Sequence, residues 1–409
     1  MVAASKVEIR GEVAAGFEGV RAEFERNFVE RGELGASLFA TLRGETVIDL
    51  SAGVMDRASG RPWVRDTRAV VWSATKGLVA MGFLILTDRG LVDPDLAVAH
   101  YWPGFAREGK ERLTVRQLLN HRGGLIHLPS SLKVEDLTRP EEVKEILERT
   151  QPAWKPGTNQ GYHAITWGSF AGELFRQIAG VSVGQFLASE VFGPLGAETV
   201  IGLPVDSPIH AKVADVIPFK KDDLFLRVIP EALFGHTCET RTFRNLVGRL
   251  KSETSRAFRS GPSLGSRRLH AVNDPAIQAI EMPWCGAITS AEGLARCYTP
   301  LALGGTWAGV KICRPETVEP ITKIQSWSGR DLVLQKPIGW SQGFSKDEAH
   351  IVSPRSEAFG HTGMGGSVGF ADPSTGLALG YVMNRMDWRI RSPRCIALCR
   401  SVYRALGIL

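Results

Sequence analysis

Strand-forming stretches sit at the two ends of this 409-residue chain, while the interior between them reads mostly as helix and long loop. Residues 36–42 and 45–51 read as two strands broken by Arg43-Gly44 at a turn. Residues 366–372 and 377–386 repeat the pattern across Pro373-Ser374-Thr375-Gly376. The simplest architecture builds one lobe from both ends. An amphipathic helix is predicted over 16–30, with Phe17, Val20, Phe24 and Phe28 on one stripe, and a last helix over 392–406. Inside the chain, Thr138-Arg139-Pro140-Glu141 reads as a capping box leading into Val143, Ile146 and Leu147. A further helix over 166–179 is closed by Gly180. Residues 205–280 are polar and irregular and give no clear element. The expected fold is α+β, an antiparallel sheet flanked by the terminal helices. Residues 1–75 and 320–409 would build one discontinuous α/β lobe, with 76–319 inserted as a mostly helical lobe.

Charge and cysteine usage narrow the function. The chain carries 49 basic and 43 acidic residues, a formal +6, spread without a basic tail. Runs such as Lys220-Lys221-Asp222-Asp223 cancel locally, which argues against nucleic acid as a partner. Cys238, Cys285, Cys297, Cys313, Cys395 and Cys399 show neither C-x-x-C nor zinc spacing, and are expected to be free buried thiols in a reducing compartment. The stretch from Met1 to Arg10 has charges but no apolar core of a signal peptide. The longest apolar run, 77–86, is too short to cross a bilayer. The expectation is a cytoplasmic protein without a membrane partner, metal or organic cofactor.

The segment carrying the strongest chemistry is Val70-Val71-Trp72-Ser73-Ala74-Thr75-Lys76-Gly77-Leu78. A serine and a lysine three apart share a helix face. Met81, Phe83, Leu84, Ile85 and Leu86 continue the helix apolar nearly all round, so it should be buried. Burial favours the neutral amine, which can accept the serine proton. Ser73 also stands where helix N–H groups point forward, suited to a developing oxyanion. Three other matches compete. Ser130-Ser131-Leu132-Lys133 follows Pro129 in loop-like sequence with no buried helix behind it. The G-x-S-x-G stretches at Ser263 and Ser367 lack the strand-to-helix context of a nucleophile elbow; one has proline in the turn, the other runs into a strand.

At Ser73 and Lys76 the chain resembles the first motif of serine β-lactamases, DD-peptidases and family VIII carboxylesterases. The tyrosine of their second motif is matched by Tyr162 in Pro156-Gly157-Thr158-Asn159-Gln160-Gly161-Tyr162-His163-Ala164, and their third by His361-Thr362-Gly363. Residues 113–121 and 286–290 are similar to further stretches of that superfamily. The resemblance implies a β-lactamase/DD-peptidase-like fold and a serine carboxylesterase. In it Ser73 attacks the acyl carbonyl, Lys76 with Tyr162 relays the proton, and the backbone N–H groups of Ser73 and Met364 form the oxyanion hole. Tyr162 would then serve as base for deacylation, provided the Lys76 cation lowers its pKa from about 10. His361, Gly363, Gly365, Trp72 and Trp340 are the expected substrate-binding residues.

Two departures bear on substrate. Ala164 stands where many β-lactamases have asparagine, and His361 where they have lysine. Both changes remove groups that a penicillin or a D-Ala-D-Ala peptide would use, which favours a small, uncharged ester. A promiscuous β-lactamase, a D-amino-acid peptidase or amidase, and an acyltransferase use the same residues and stay open, as does a non-catalytic scaffold of the same fold. The oligomeric state is open too, a homodimer included.

Overall fold

A computed structural model describes residues 7–219, 229, 235, 237–266, 268–346 and 352–409. Part of the N-terminal stretch and the charge run at Lys220 to Asp223 lie outside the described residues. The ends of the chain do meet, in a nine-stranded antiparallel sheet. Its order is Ile9–Val13, Glu45–Gly53, Gly35–Leu42, Leu377–Met383, Val368–Asp372, Phe359–Thr362, Phe344–Lys346, Ile338–Ser341 and Ser326–Ser328. The seam between the two ends pairs Leu38 with Tyr381 and Ala40 with Leu379. Arg43 and Gly44 close the first hairpin with φ of 52° and 88°, the paired positive angles of a tight two-residue turn.

Side chains alternate across the sheet and so divide the core. Along 377–383, Leu377, Leu379, Tyr381 and Met383 face one cluster, while Ala378 and Val382 face another. The first cluster is covered by the terminal helices Glu18–Glu30 and Pro393–Ala405, through Val20, Phe24, Leu398, Cys399 and Val402. The second holds the Ala74–Asp88 helix, whose residues are all buried from Ala74 through Leu86. The helix Ala291–Ala302 lies on the same face, so close that a Cβ on Gly380 would stand 2.2 Å from the Ala291 carbonyl oxygen. The α/β layer thus draws an element from inside the 76–319 span. All six cysteines are free and buried, as expected. Among the described residues no helix is long and apolar enough to cross a membrane.

Four local expectations need correction. The helix Pro140–Glu148 has Arg139 at its cap and no side-chain cap; Thr138 Oγ1 instead donates to Glu135 O at 2.8 Å, because residues 134–138 form a 3-10 turn. The last strand stops at Met383, where Asn384 turns its amide onto the Val54 and Met55 carbonyls. The preceding strand starts at Val368, since Gly366 at φ 124° is still in a turn. The unassigned interior contains the helices Cys238–Gly248 and Glu253–Arg259, capped by the side chains of Thr237 and Ser252.

Candidate active site

Ser73 immediately precedes the buried helix, and the backbone leading to it is constrained. Trp72 has φ 52°, a left-handed conformation that is uncommon and costly for a bulky residue. It is held there from its N-terminal side: Val71 N–H donates to Ala287 O at 3.0 Å, and Ser367 Oγ donates to Val71 O at 2.8 Å. Thr75 Oγ1 accepts the Ala287 N–H at 3.0 Å, tying the helix start to the small strand Ala287–Thr289. The G-x-S-x-G serine at 367 is therefore a clamp on the nucleophile segment. Ser263 is exposed and bridged to Lys133 in a loop, and Ser130, Ser131 and Lys133 are exposed there too.

Ser73 Oγ stands 3.2 Å from Lys76 Nζ and 3.0 Å from the Tyr162 hydroxyl. Lys76 is fully buried and also donates to the carbonyl oxygens of Ala164 at 2.9 Å and Trp284 at 3.1 Å. Burial pushes its pKa down to about 7. In the neutral amine the two carbonyls take both N–H groups, which leaves the lone pair for the Ser73 hydroxyl. Ala164 thus lacks the side chain of an asparagine but serves through its backbone.

Tyr162 does not behave as the sequence led us to expect. Burial raises its pKa, and the hydrogen bond to Ser73 offsets this only in part. Lys76, 5.0 Å from the ring centroid and with a pKa of about 7, carries its charge only part of the time near neutrality and does not outweigh that burial. The resting phenol is protonated and donates to Ser73 Oγ. Its main chain is held by the buried Asp331, whose Oδ1 accepts N–H groups from Tyr162 at 3.0 Å and from Val333 and Leu334 at 2.9 Å. Sequence reasoning missed Asp331 and Trp284, since a carboxylate or carbonyl that bonds only to main chain or to lysine leaves no spacing signal.

His361 lies on the strand Phe359–Thr362, its Cβ 3.2 Å from where a Cβ on Gly77 would stand. Its Nδ1 is 2.7 Å from Thr362 O, so Nδ1 carries the proton and Nε2 is left as an acceptor. Burial, aided by Lys76, pushes its pKa to about 3. The ring packs with Trp340 at 5.7 Å and Tyr162 at 6.2 Å, and Trp340 stacks on Tyr162 at 5.7 Å with an interplanar angle of 5°. His121 joins this cluster, 4.2 Å from Trp340, and its Nδ1 accepts the His163 N–H. Trp72 does not join it, packing instead with Trp284, Met386 and Ile288.

Residues 363–366 form a tight turn against the nucleophile. A Cβ on Gly363 would stand 2.2 Å from Val71 O, and Gly365 has φ 91°. Gly363 N–H donates to Ser367 O at 2.7 Å, and Gly366 N–H to Gly363 O at 3.1 Å. The C=O and N–H of one peptide point in opposite directions, so holding Gly363 O fixes the Met364 N–H on the other side of that peptide. Among the described residues neither the Ser73 nor the Met364 amide has a protein acceptor. A cavity of about 50 Å³ beside the strand is lined by His361, Thr362, Ser345, Lys336, Lys346 and others. Among the described residues no His, Cys, Asp or Glu cluster is suited to a metal ion.

Residues 21–394 match the model of the family described as Beta-lactamase. The chain belongs to the beta-lactamase family. Within it, this chain is 32% identical over 354 residues to the Esterase/beta-lactamase LipL of Mycobacterium tuberculosis, covering 86% of this chain and 77% of that protein. Among solved structures, a family VIII carboxylesterase superposes with a TM-score of 0.84 at 34% identity, covering 97% of this chain and all of that one. A penicillin-binding protein homolog from Caulobacter crescentus follows at 0.82 and 32%, with the same coverage. The beta-lactamase/DD-peptidase architecture expected from the motifs is therefore the observed one.

Proposed function

We propose that this chain is a serine carboxylesterase that cleaves short to medium, uncharged esters through an acyl-enzyme on Ser73. The observation that carries this reading is the pair of short contacts at Ser73 Oγ, one to a buried amine with its pKa pushed down to about 7 and one to a protonated phenol. Ser73 Oγ attacks the ester carbonyl as its proton passes to Lys76 Nζ. The carbonyl oxygen becomes an oxyanion, received by the N–H groups of Ser73 and Met364. As the C–O bond to the alcohol breaks, the phenolic proton of Tyr162 goes to the departing oxygen. The new Lys76 cation then returns a proton to the phenolate, so the net transfer is from serine to alcohol. Water releases the acid in the reverse sense, its proton taken by Lys76 and Ser73 regenerated. Lys76 replaces Tyr162 as the base, because it is the group whose free-base form is populated near neutrality.

His361 supports an uncharged substrate: it is neutral and its free nitrogen accepts rather than donates, so it offers nothing to a carboxylate. The names of LipL and of the family VIII carboxylesterase support ester chemistry. The name of LipL, an esterase/beta-lactamase, also supports a second reading in which a β-lactam is accepted at the same serine. Hydrolysis of p-nitrophenyl acetate through octanoate, measured beside nitrocefin, tests this. Ester turnover exceeding nitrocefin turnover is expected; the reverse order makes the protein a β-lactamase first. The proposal includes a cytoplasmic location and no nucleic-acid or membrane partner.

A further inference from the structure

The turn at 363–366 is short of side chains of its own, with glycine at three of its four positions. It is held from behind by a buried ion pair that the catalytic scheme does not use. Arg394, in the first turn of the last helix, is 2% exposed. Its Nη2 donates to Gly365 O at 3.3 Å and to Arg385 O at 2.6 Å, and its Nη1 donates to Glu33 Oε1 at 2.6 Å. The Glu33 side chain is wholly buried and receives the Tyr381 hydroxyl on its other oxygen. Gly365 O also accepts the Asp387 N–H at 3.1 Å, and Met386 Cα lies 3.0 Å from where a Cβ on Gly365 would stand. The Arg394 main chain is tied in turn to the first helix, since Asn27 Nδ2 donates to its carbonyl at 3.3 Å.

Burying a guanidinium and a carboxylate together costs solvation that a hydrophobic pair would avoid, so stability alone is a weak reason for the pair. What a guanidinium supplies and a hydrophobic side chain lacks is a rigid fork that fixes three acceptors at once. Those acceptors come from the turn, from the segment after the last strand, and from Glu33 before the second strand. We infer that Arg394, set by Glu33 and Tyr381, is a positioning residue that holds the 363–366 turn so that the Met364 N–H meets the oxyanion. The inference rests on the proposed esterase reading and adds a residue about thirty positions from the third motif. Its effect should fall on the transition state, because the carbonyl oxygen moves fully into the hole only as charge develops.

Two variants keep the fold testable. Arg394→Lys retains the charge but loses the fork; Tyr381→Phe retains the ion pair but frees one oxygen of Glu33. Ester kcat and KM are measured together with amide hydrogen exchange of residues 363–366 and the rate of fluorophosphonate labelling, which also builds an oxyanion. For Arg394→Lys we expect kcat to fall at least about tenfold, KM to stay within about twofold, labelling to slow in parallel and turn amides to exchange faster. Tyr381→Phe should show the same pattern more weakly. Unchanged kcat and labelling in both folded variants, or a loss carried by KM, overturns the inference. If the wild-type protein turns over no ester, the esterase reading fails instead, and faster exchange in the variants still reports on the brace.

Discussion

Lys76 sets the pH behaviour of the proposed site. Its depressed pKa means that the active free base gains population as pH rises through about 7. We predict that kcat/KM for a neutral ester falls about tenfold per pH unit below that point and levels above it. A flat profile from pH 5 to 8 counts against Lys76 as the base. Linkage gives an independent check. A lysine with a lower pKa in the folded than in the unfolded chain is deprotonated first in the folded state. Between about pH 7 and 10 the unfolded chain therefore holds more protons, and stability rises with pH. Denaturant titrations should show a steeper rise in the wild type than in Lys76→Met, since Lys110, also pushed down to about 8 by burial, contributes equally to both. At this scale Ser73 and Lys76 were legible from their spacing on an all-apolar helix, and Tyr162 and His361 only from the resemblance of their motifs to the superfamily's. The protonation of Tyr162 was not, since it follows from the depth of burial, which spacing does not reveal. Trp72 is buried beside Ser73 in the chain yet packs in a different cluster from Trp340, a separation that adjacency in sequence does not reveal.

The elements that position these groups were readable to different degrees. The 166–179 helix matches its expected bounds, closed by Gly180 at φ 71°. The nucleophile helix is buried along its length as its apolar run implies, and the first helix follows its apolar stripe. Thr237 and Ser252 start helices inside the stretch that gave no assignment; their polar caps are visible, but Cys238–Gly248 and Glu253–Arg259 bury too few residues to show a stripe. The strands Ala69–Val70 and Val200–Ile201, two residues each, are too short for any alternation. The turn after the third motif makes the sharpest element-scale test. Gly363→Ala places a methyl group 2.2 Å from Val71 O and 2.1 Å from Ser367 Oγ, so the turn must move off the nucleophile. We expect kcat to fall roughly tenfold to a hundredfold with the fold retained. Wild-type kcat in a folded Gly363→Ala protein contradicts this placement of the turn.

For the whole molecule, the arrangement of the two chain ends is decisive. Strand signals at both termini predicted one sheet, and the seam between 35–42 and 377–383 is where they join. The last helix covers the outer face of that seam with Cys395, Leu398, Cys399, Val402 and Tyr403, all buried. Deleting 393–409 uncovers this face and removes several core side chains, each worth about 2–5 kcal/mol, against a total stability of about 5–15 kcal/mol. The truncated chain should lose its cooperative thermal transition in circular dichroism, and a retained one contradicts this account of the core. What stayed unreadable at this scale was packing across long sequence separations, such as the helix 291–302 lying on a sheet built from the two ends.

The central claim is that Ser73 is the nucleophile, and peptide mass spectrometry after fluorophosphonate labelling tests it most directly. One covalent adduct on the Ser73 peptide, absent from Ser73→Ala, is the predicted result; an adduct on the peptide of Ser263 or Ser367, or labelling that persists in Ser73→Ala, contradicts it.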